Sequence, residues 1–479
     1  MTTFGSELKL AQLSLKAERL ETRETPQSLF VKVHEEFENA FLLESAIGAK
    51  RLAEYSFIGF EPQTIVRVKD GSLDIASLDG AKDHLKTEEP LQDLRKLVAA
   101  AASPELIGRS PFRFIGGAVG YISYDSVRYW ERLPVKARDD LSLPDIEFGI
   151  YTDGIVFDHI KKGIHYYTLG RESRLMLVES LLHRAPRERG ELTAPTSAKP
   201  TVEKERFKVM VETAKKHITV GDIFQVVLSK RYDFELDGDL SIFYQALSEI
   251  NPSPYMYFLK FGERRIVGSS PEMLVRVENR QVETFPIAGT RPHLQDKKEN
   301  AKLTKELLAD PKERAEHVML VDLARNDVGR VAKYGSVKVP ELLTVQQFSH
   351  VQHIVSRVVG TLRKEFDSFD AMRAMFPAGT VSGAPKPRAM EIIEDLEPVR
   401  RGPYAGALGY FSFNGNADFA ITIRTLVARG KKCSIQSGAG IVADSDPEME
   451  WHETESKAAG LMKAVEKATG RRLIGEGRR

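Results

Sequence analysis

Short, strand-like apolar runs recur over much of the chain. Early examples are SLFVKV, IVRV and IYTDGIVF, and later examples are IFQVVLSKRY and YMYFLKF. Runs of this kind are typical of β-strands. The segment MLVRVENRQVETF predicts a hairpin that turns near Asn279 and Arg280.

Helical spacing marks other segments. After residue 200, one set of apolar positions repeats with the period of a helix: Phe207, Met210, Val211, Ala214 and Ile218. Asp310-Pro311 and Asp446-Pro447 predict the starts of two more helices, since Asp is a good N-cap and Pro suits the first helical position. Strands and helices are mixed without regular alternation, which favours an α+β fold with large antiparallel sheets.

One polar segment divides this pattern. RAPRERGELTAPTSAKP, residues 184–200, is rich in Pro, Ala, Thr and charged residues, and a leucine is its only large apolar residue. Such a composition predicts a linker or a long surface loop. We therefore expect an N-terminal domain at residues 1–183 and a second domain at 201–479.

Composition narrows the class of protein. The chain has 479 residues and a formal net charge of +1, so no overall field points to nucleic acid or to an anionic membrane. Its single cysteine, Cys433, excludes an internal disulfide and a cysteine-based zinc cluster. The first residues lack the apolar core of a signal peptide, and no run of about 18 apolar residues occurs. A cytoplasmic location is expected.

Two pairs of acids stand at helical spacing near the predicted helix starts. Glu313 and Glu316 form one pair, and Glu450 and Glu453 form the other; each pair is spaced i, i+3 on one helix face. Four carboxylates on two helices can meet around Mg²⁺, which prefers oxygen ligands. The alternative is that these acids only cap the helices and complement their dipoles.

Several other motifs and residues can be explained either by a functional role or by an ordinary structural one. Gly438 to Ala443 and Gly379 to Lys386 fail the dinucleotide and phosphate-loop patterns, which leaves tight turns or backbone N–H groups around a carboxylate. Arg424 stands in the strand-like run FAITIRTLV, where a buried guanidinium needs an anion or acceptors. His353 beside apolar residues fits a core histidine, and Glu272 after GSSP fits a solvated loop acid.

Several longer strings together identify a family. They are LLES, YSFIG, GDIFQVVLS, NPSPYMYFL, GSSPE, PIAGTRP, EHVMLVDLARND, FPAGTVSGAPK, GPYAGALGY and QSGAGIVADSDPEMEWHET. In content and order the chain resembles the chorismate-utilizing enzymes from about Phe41 to Lys467, and within them the large subunits of the anthranilate-forming branch. The resemblance implies a two-domain fold of large antiparallel sheets flanked by helices, with chorismate and Mg²⁺ in a cleft.

The resemblance also implies roles for matching residues. A catalytic role is implied for Glu272 as the general acid, His353 as the histidine of pyruvate elimination, Thr290 and Lys457. The Mg²⁺ site is implied at Glu316 and Glu453, with support from Glu313 and Glu450. The implied substrate-binding set is Gly289, Thr290, Tyr404, Arg424, Gly438, Ala439, Gly440 and Gln225.

The same resemblance implies Mg²⁺-dependent amination of chorismate followed by loss of pyruvate. Aminodeoxychorismate synthases usually carry lysine where this chain has Ala288, and isochorismate or salicylate synthases carry a lysine base where it has Gln225. An amide cannot act as that base. A catalytically silent amino-acid sensor is disfavoured because Glu272, Glu316 and Glu453 are present.

Regulation and assembly follow from the resemblance as well. A tryptophan site is implied at Glu44, Ser45, Pro254, Tyr255 and Met256, so we expect feedback inhibition. Cys433 lies in the strand-like context GKKCSIQS, which does not suit a glutaminase nucleophile. Ammonia is therefore expected from a separate glutamine amidotransferase subunit in a hetero-oligomer.

Overall fold

The computed structural model describes residues 14–45, 54–101, 110–170, 173–185, 190–193, 195–294, 296–347, 351–471 and 473. Helices in these residues are α1 (Pro26–Glu36), α2 (Pro90–Ala101), α3 (Leu175–His183), α4 (Lys204–Thr219), α5 (Leu240–Ile250), α6 (Lys297–Ala309), α7 (Pro311–Gly329), α8 (Ser368–Met375), α9 (Lys386–Leu396) and α10 (Pro447–Thr469). Short 3₁₀ turns occupy Tyr124–Tyr129 and Gly379–Val381. Over the described ranges, no helix is both long enough and apolar enough to span a bilayer.

Two large sheets form the body of the molecule. The first contains β1 (Leu15–Arg19), β2 (Asn39–Glu44), β3 (Tyr55–Phe60), β9 (Asp153–Asp158), β10 (Gly163–Leu169), β11 (Lys199–Pro200), β12 (Gln225–Glu235), β13 (Tyr255–Phe261), β14 (Arg264–Ser270), β20 (Gly383–Ala384), β23 (Thr425–Arg429) and β24 (Lys432–Ile441). Its order is β1-β10-β9-β3-β2-β13-β14-β23-β24-β12-β11, with β20 also paired to β12.

The second sheet has the same number of strands. It contains β4 (Thr64–Lys69), β5 (Ser72–Ser77), β6 (Lys82–Lys86), β7 (Gly117–Ile122), β8 (Ile146–Tyr151), β15 (Met273–Glu278), β16 (Gln281–Thr284), β17 (Ile287–Pro292), β18 (Lys338–Gln347), β19 (Val351–Thr361), β21 (Ala407–Ser412) and β22 (Ala417–Ile421). Its order is β17-β19-β16-β15-β22-β21-β7-β8-β4-β5-β6, with β18 also paired to β19. The expected α+β class with large antiparallel sheets and flanking helices is confirmed.

Strand β13 illustrates how the sheets bury apolar side chains. Tyr257 and Leu259 belong to the core cluster shared with the second sheet, whereas Met256 and Phe258 pack with helices on the other face. Both faces of the strand are therefore covered, which explains why YMYFLKF is apolar at nearly every position. The predicted hairpin is also present, with Asn279 and Arg280 at positive φ between β15 and β16.

The segment SLFVKV was predicted as a strand, and this prediction is wrong because it lies inside α1. Thr25 caps the helix by accepting a hydrogen bond from Ser28 N, and Thr25 N in turn donates to Ser28 Oγ. Pro26 occupies the first turn. This start signal outweighs the strand-like run that follows it.

Both sheets draw strands from both sides of the 184–200 segment. Within that segment, Leu192 is buried and forms a bridge with Gly238, and Thr196 N donates to the carbonyl of Glu235. Its described part therefore runs along the body of the molecule as a surface loop. The division into domains at 183 and 201 remains a prediction.

Candidate active site

The two predicted acid pairs lie on α7 and α10. Both helices begin as expected: Asp310 accepts from the backbone N–H groups of Lys312 and Glu313, and Asp446 accepts from those at 448 and 449. Burial raises the pKa of Glu316, and the charges of Glu313 and Glu453 raise it further. The two helices therefore present their carboxylates to each other.

Glu450 supports the same arrangement from α10. Burial raises the pKa of its carboxyl, and the neighbouring Glu453 charge adds to the effect. Its Oε2 atom is buried without a hydrogen-bond partner. A buried carboxylate oxygen is costly without a partner. This atom is therefore suited to bind a cation, either directly or through a water molecule.

The described residues contain no group of three His, Cys, Asp or Glu side chains already gathered at metal-binding distance. Lys457 is one physical reason, since its Nζ forms an ion pair with Glu453 Oε1 at 2.7 Å. The carboxylates nevertheless fit a divalent cation chemically: they are like charges held near one another, and one oxygen has no partner. The metal role of the four glutamates therefore remains a prediction.

Lys457 also connects these helices with the glycine-rich end of β24. Its Nζ donates to the carbonyl oxygen of Gly438 at 3.0 Å. A Cβ placed on Gly438 would lie 2.8 Å from Tyr404 Oη, and one on Gly440 would lie 2.6 Å from Gln225 Nε2. At 438 a side chain would also meet the backbone carbonyl oxygen of Leu228 at 2.8 Å, so glycine is favoured there, whereas at 440 the end of the Gln225 side chain would have to move.

Ala439 lies between these two glycines, but its side chain points away from them. It is fully buried in a cluster with α4 and α9 residues on the other face of the first sheet. On the cleft side, Ala439 therefore contributes only its backbone. The run Gly438 to Ile441 belongs to strand β24, so it forms neither a tight turn nor a nucleotide-binding loop.

Glu272 lies between β14 and β15, and its backbone carbonyl accepts from Ile421 N. Burial of the carboxyl raises the pKa of Glu272 to about 7, although Thr380 and the Lys457 charge act to lower it. The Thr380 hydroxyl faces this carboxyl without reaching the geometry of a full hydrogen bond. A cavity of about 40 Å³ adjoins both residues. Glu272 is thus an enclosed acid that holds its proton near neutral pH, not a solvated loop acid.

His353 is held by the β17–β19 pair. Its Nδ1 donates to the carbonyl oxygen of Gly289 at 2.8 Å and lies 3.1 Å from Thr290 Oγ1. The bond to a carbonyl places the ring proton on Nδ1. Burial lowers the pKa of His353, and the positive charge of Arg424 also lowers it, so the ring favours its neutral form.

Arg424 does not lie within a strand, contrary to the sequence prediction. It stands at the corner between β22 and β23 with φ +52°, and its carbonyl accepts from Ser269 N at 3.1 Å. Burial lowers the pKa of this guanidinium, and Tyr404 lies close to it. Among the described residues, no carboxylate pairs with Arg424. A half-buried cation without a carboxylate partner is a strong candidate for binding an anionic ligand.

The predicted tryptophan residues lie on β2 and β13. Glu44 is directly opposite Met256, and its carboxylate accepts from Tyr244 Oη at 2.6 Å and Gln27 Nε2 at 3.2 Å. Tyr255 faces the other side of β13, where its hydroxyl donates to Asp418 at 2.9 Å. Pro254 is buried just before the strand, and Ser45 directly follows β2.

Sequence reasoning missed two residues of the cleft. Arg291 donates to Glu313 Oε1 at 3.1 Å and to Asp310 Oδ2 at 2.8 Å, so it joins β17 to the start of α7. Thr380 faces Glu272 from the GTVSGAPK segment. The motif strings PIAGTRP and FPAGTVSGAPK contain both residues, but their partners lie on elements distant in sequence.

Several of the other predicted residues lie near one another. Electrostatic effects link Glu272 to Lys457, His353 to Arg424 and Glu313, and Arg424 to Tyr404. Of the residues predicted to bind tryptophan, Glu44 lies beside the Tyr244 hydroxyl, whereas Tyr255 lies on the other side of β13, beside Asp418. The structure therefore combines an acid, a neutral imidazole, a guanidinium without a carboxylate partner and a group of carboxylates.

A family comparison agrees with this fold and cleft. Residues 38–463 match the model of the chorismate binding enzymes, so the chain belongs to that family. Over 95% of its length it is 50% identical to anthranilate synthase component 1 of Methanothermobacter marburgensis, of which it covers 95%. It is 42% identical to the component 1 protein of Pseudomonas aeruginosa, with 95% of each chain covered.

Solved structures show the same architecture. Anthranilate synthase component I from Streptococcus pneumoniae superimposes with a TM-score of 0.77 at 38% identity, covering 85% of this chain and 92% of that one. MenF, the menaquinone-specific isochorismate synthase of Escherichia coli, gives a TM-score of 0.71 at 21% identity, covering 95% and 97%. The second comparison supports the fold alone. The chain is therefore an enzyme of the chorismate-binding fold.

Proposed function

We propose that this chain is the large subunit of an anthranilate synthase, which converts chorismate and ammonia to anthranilate, pyruvate and water in tryptophan biosynthesis. The observation that carries the proposal is Glu272, an enclosed carboxyl with a pKa near 7 in the cleft of a chorismate-binding enzyme. Amination of the ring requires a hydroxyl to leave, and a protonated acid makes that departure easier. The component 1 relatives support this choice within the family.

Binding of chorismate is proposed to use both of its carboxylates. Arg424 is a half-buried guanidinium with no carboxylate partner among the described residues, and it suits the enolpyruvyl carboxylate in a bidentate contact. Tyr404, the backbone of Gly438 to Gly440 and Gln225 line the same cleft. Mg²⁺, held by Glu316 and Glu453 with support from Glu313 and Glu450, would neutralise the ring carboxylate and stabilise developing negative charge.

The two chemical stages use different residues in this proposal. Glu272 gives its proton to the departing ring hydroxyl while ammonia forms the new C–N bond. In the second stage, the C–H bond at the aminated ring carbon and the enolpyruvyl C–O bond both break, so the ring becomes aromatic. The departing enolpyruvate takes up a proton on its methylene carbon and becomes pyruvate. His353, with its proton on Nδ1 and a neutral ring, is placed to assist this elimination, and Thr290 fixes its orientation.

Product choice is assigned to two uncharged side chains. Ala288 is buried on β17 opposite Ile354, so it offers no amine to the cleft. Gln225 is an amide beside Gly440 and cannot act as a base toward water. Both features favour ammonia as the nucleophile and complete elimination of pyruvate, in preference to an aminodeoxychorismate or isochorismate product.

A separate subunit is proposed to supply the ammonia. Burial raises the pKa of the Cys433 thiol to about 12, so this thiol is unsuited to act as a glutaminase nucleophile. The words "component 1" in the relatives' names also indicate a multi-subunit enzyme in those organisms. The partner proposed for this chain is a glutamine amidotransferase.

The test is product analysis of the pure chain with chorismate, Mg²⁺ and an ammonium salt. Chromatography should show anthranilate, and the same reaction with glutamine in place of ammonium should give none. Accumulation of aminodeoxychorismate or isochorismate would transfer the chain to another branch of the family. Anthranilate formed from glutamine by the pure chain would contradict the need for a partner.

A further inference from the structure

A buried ion pair lies behind the cleft. Arg401 Nε donates to Glu397 Oε2 at 2.9 Å, and its Nη2 donates to Oε1 at 2.6 Å. The two side chains are only 1% and 3% exposed. Removing two charges from water is costly unless further hydrogen bonds satisfy them, so the remaining partners of this pair decide its role.

Those partners are backbone groups of two cleft-forming segments. Arg401 donates to the carbonyl oxygens of Val381 at 2.7 Å and Val227 at 2.8 Å. Glu397 Oε1 accepts from both N and Oγ of Ser229 at 2.8 Å. Val381 ends the turn that holds Thr380 against Glu272, while Val227 and Ser229 lie on β12, which begins with Gln225.

The same arginine supports the loop that carries Tyr404. Its guanidinium lies 4.6 Å from the ring centroid of Tyr124 and 5.7 Å from that of Tyr404. Tyr124 N donates to the carbonyl of Gly402, and Gly402 N donates to Asp125 Oδ2, each at 2.8 Å. The loop therefore depends on contacts from other elements instead of regular secondary structure.

These contacts hold three parts of the candidate site in position relative to one another. The pair joins three segments that are distant in sequence, and each segment carries a residue of the cleft: Gln225, Thr380 and Tyr404. Ser229 also pairs with Gly438, whose missing side chain makes room for Tyr404. A pair needed only for stability has no requirement to end on these three segments.

We propose that Arg401 and Glu397 are positioning residues, which hold Tyr404, the Thr380 turn and the start of β12 in the arrangement that binds chorismate. This inference rests on the cleft residues assigned under the proposed function. It requires no contact between the pair and the substrate. Its consequence is that geometry, not charge alone, must be kept at both positions.

The first variant is Arg401→Lys, which keeps the charge and loses the planar fork. Chorismate binding is measured by equilibrium dialysis with Mg²⁺ and without ammonium, and KM and kcat are measured with ammonium. We expect binding to weaken by about tenfold to a hundredfold, because small misplacements of binding groups have effects of this size. KM should change more than kcat, and Arg401→Ala should be worse than Arg401→Lys.

A double variant keeps the test decisive if single changes prevent folding. Arg401→Met with Glu397→Gln leaves no unpaired buried charge and keeps an acceptor for Ser229, so the folded state should survive. We expect its melting temperature to stay near that of the parent while chorismate binding weakens about tenfold or more. Normal binding by this folded double variant would overturn the inference.

Arg174→Lys is the matched control. Arg174 also forms a bidentate pair, with Asp153, and lies 4.3 Å from the Phe60 ring centroid, but it contacts none of the cleft residues. The Arg174→Lys variant should have a lower melting temperature than the parent and should bind chorismate equally well. A parent that binds chorismate without forming anthranilate would refute the proposed function. The effect of Arg401 and Glu397 on binding could still be measured, because dialysis does not depend on the product.

Discussion

The carboxyl of Glu272 shows how surroundings set the chemistry of one residue. In the sequence it follows Gly268-Ser269-Ser270-Pro271 and fits an ordinary loop acid. Burial raises its pKa to about 7, since ionisation is costly without water or a strong cationic partner. The acid therefore keeps its proton below about pH 7 and loses it above that value.

We expect kcat/KM for chorismate to fall as pH rises through about 7, because the protonated fraction of Glu272 falls there. Rates must be compared at constant free ammonia, since more ammonium loses its proton at high pH. Glu272→Gln should lower kcat by about a hundredfold or more while chorismate still binds. A variant with near-normal turnover would remove Glu272 from the mechanism.

The same group makes a prediction about stability. The folded-state pKa is raised from 4.5 to about 7, so the folded state binds more protons than the unfolded state between these values, and stability is lost as pH rises through them. Glu272→Gln removes this loss. The variant should be more stable than the parent by on the order of 1 kcal/mol at about pH 8, with a smaller difference at about pH 5. Equal differences at both pH values would contradict the burial argument.

Glu453 tests the metal assignment at the scale of one residue. Glu453→Gln keeps the size of the side chain and removes a charge, so the Mg²⁺ concentration for half-maximal activity should rise about tenfold or more. Glu448→Gln is the matched control, because Glu448 is on the same helix but pairs with Lys204. Full activity of Glu453→Gln at limiting Mg²⁺ would show that this carboxylate does not serve the metal.

At the scale of elements, the helix starts were the most readable feature of the sequence. Asp310-Pro311 and Asp446-Pro447 predicted both helices that carry the glutamate pairs. Thr25-Pro26 is a comparable helix-start signal before SLFVKV, and the strand-like run that follows it hides this helix. Arg424 shows a limit of such patterns: a corner at positive φ between two apolar strands looks like one continuous strand.

The cap of α10 should matter for both stability and metal use. Asp446→Ala removes the acceptor of two backbone N–H groups and should cost about 1 kcal/mol. Since Glu450 lies in the first turn, fraying there should also raise the Mg²⁺ requirement. Asp296→Ala is the control, because Asp296 caps α6, which carries none of the predicted site residues. If folded Asp446→Ala needed no more Mg²⁺ than the parent, the cap would not contribute to positioning the metal-site glutamates.

At the scale of the whole molecule, the sequence predicted the class of fold but not its connections. The apolar runs identified some of the strands, such as β4, β12 and β13, yet only the structure shows β2 beside β13 and β7 beside β21. The candidate site, too, could be predicted only in part from the sequence. The resemblance supplied the glutamates, His353 and Arg424, while Thr380, Arg291 and the Arg401–Glu397 pair depend on contacts between distant elements, for which one sequence carries no signal.

Feedback inhibition is also a prediction about the whole molecule. Glu44 and Met256 lie on strands from opposite sides of the 184–200 segment, so a ligand between them would contact both parts of the chain. We expect L-tryptophan to inhibit chorismate turnover in the parent. Ser45→Phe, which adds a large side chain directly after β2, should weaken that inhibition about tenfold or more while turnover without tryptophan persists. Equal inhibition of parent and variant would refute this location.

The most direct test of the central claim is the molar ratio of the two products from ¹⁵N-labelled ammonium. The pure chain is incubated with chorismate and Mg²⁺, anthranilate is quantified by fluorescence and mass, and pyruvate is quantified by lactate dehydrogenase. We expect ¹⁵N-labelled anthranilate and pyruvate in equal molar amounts, with neither product formed when ammonium is omitted. An aminated product without pyruvate, or pyruvate without labelled anthranilate, would contradict it.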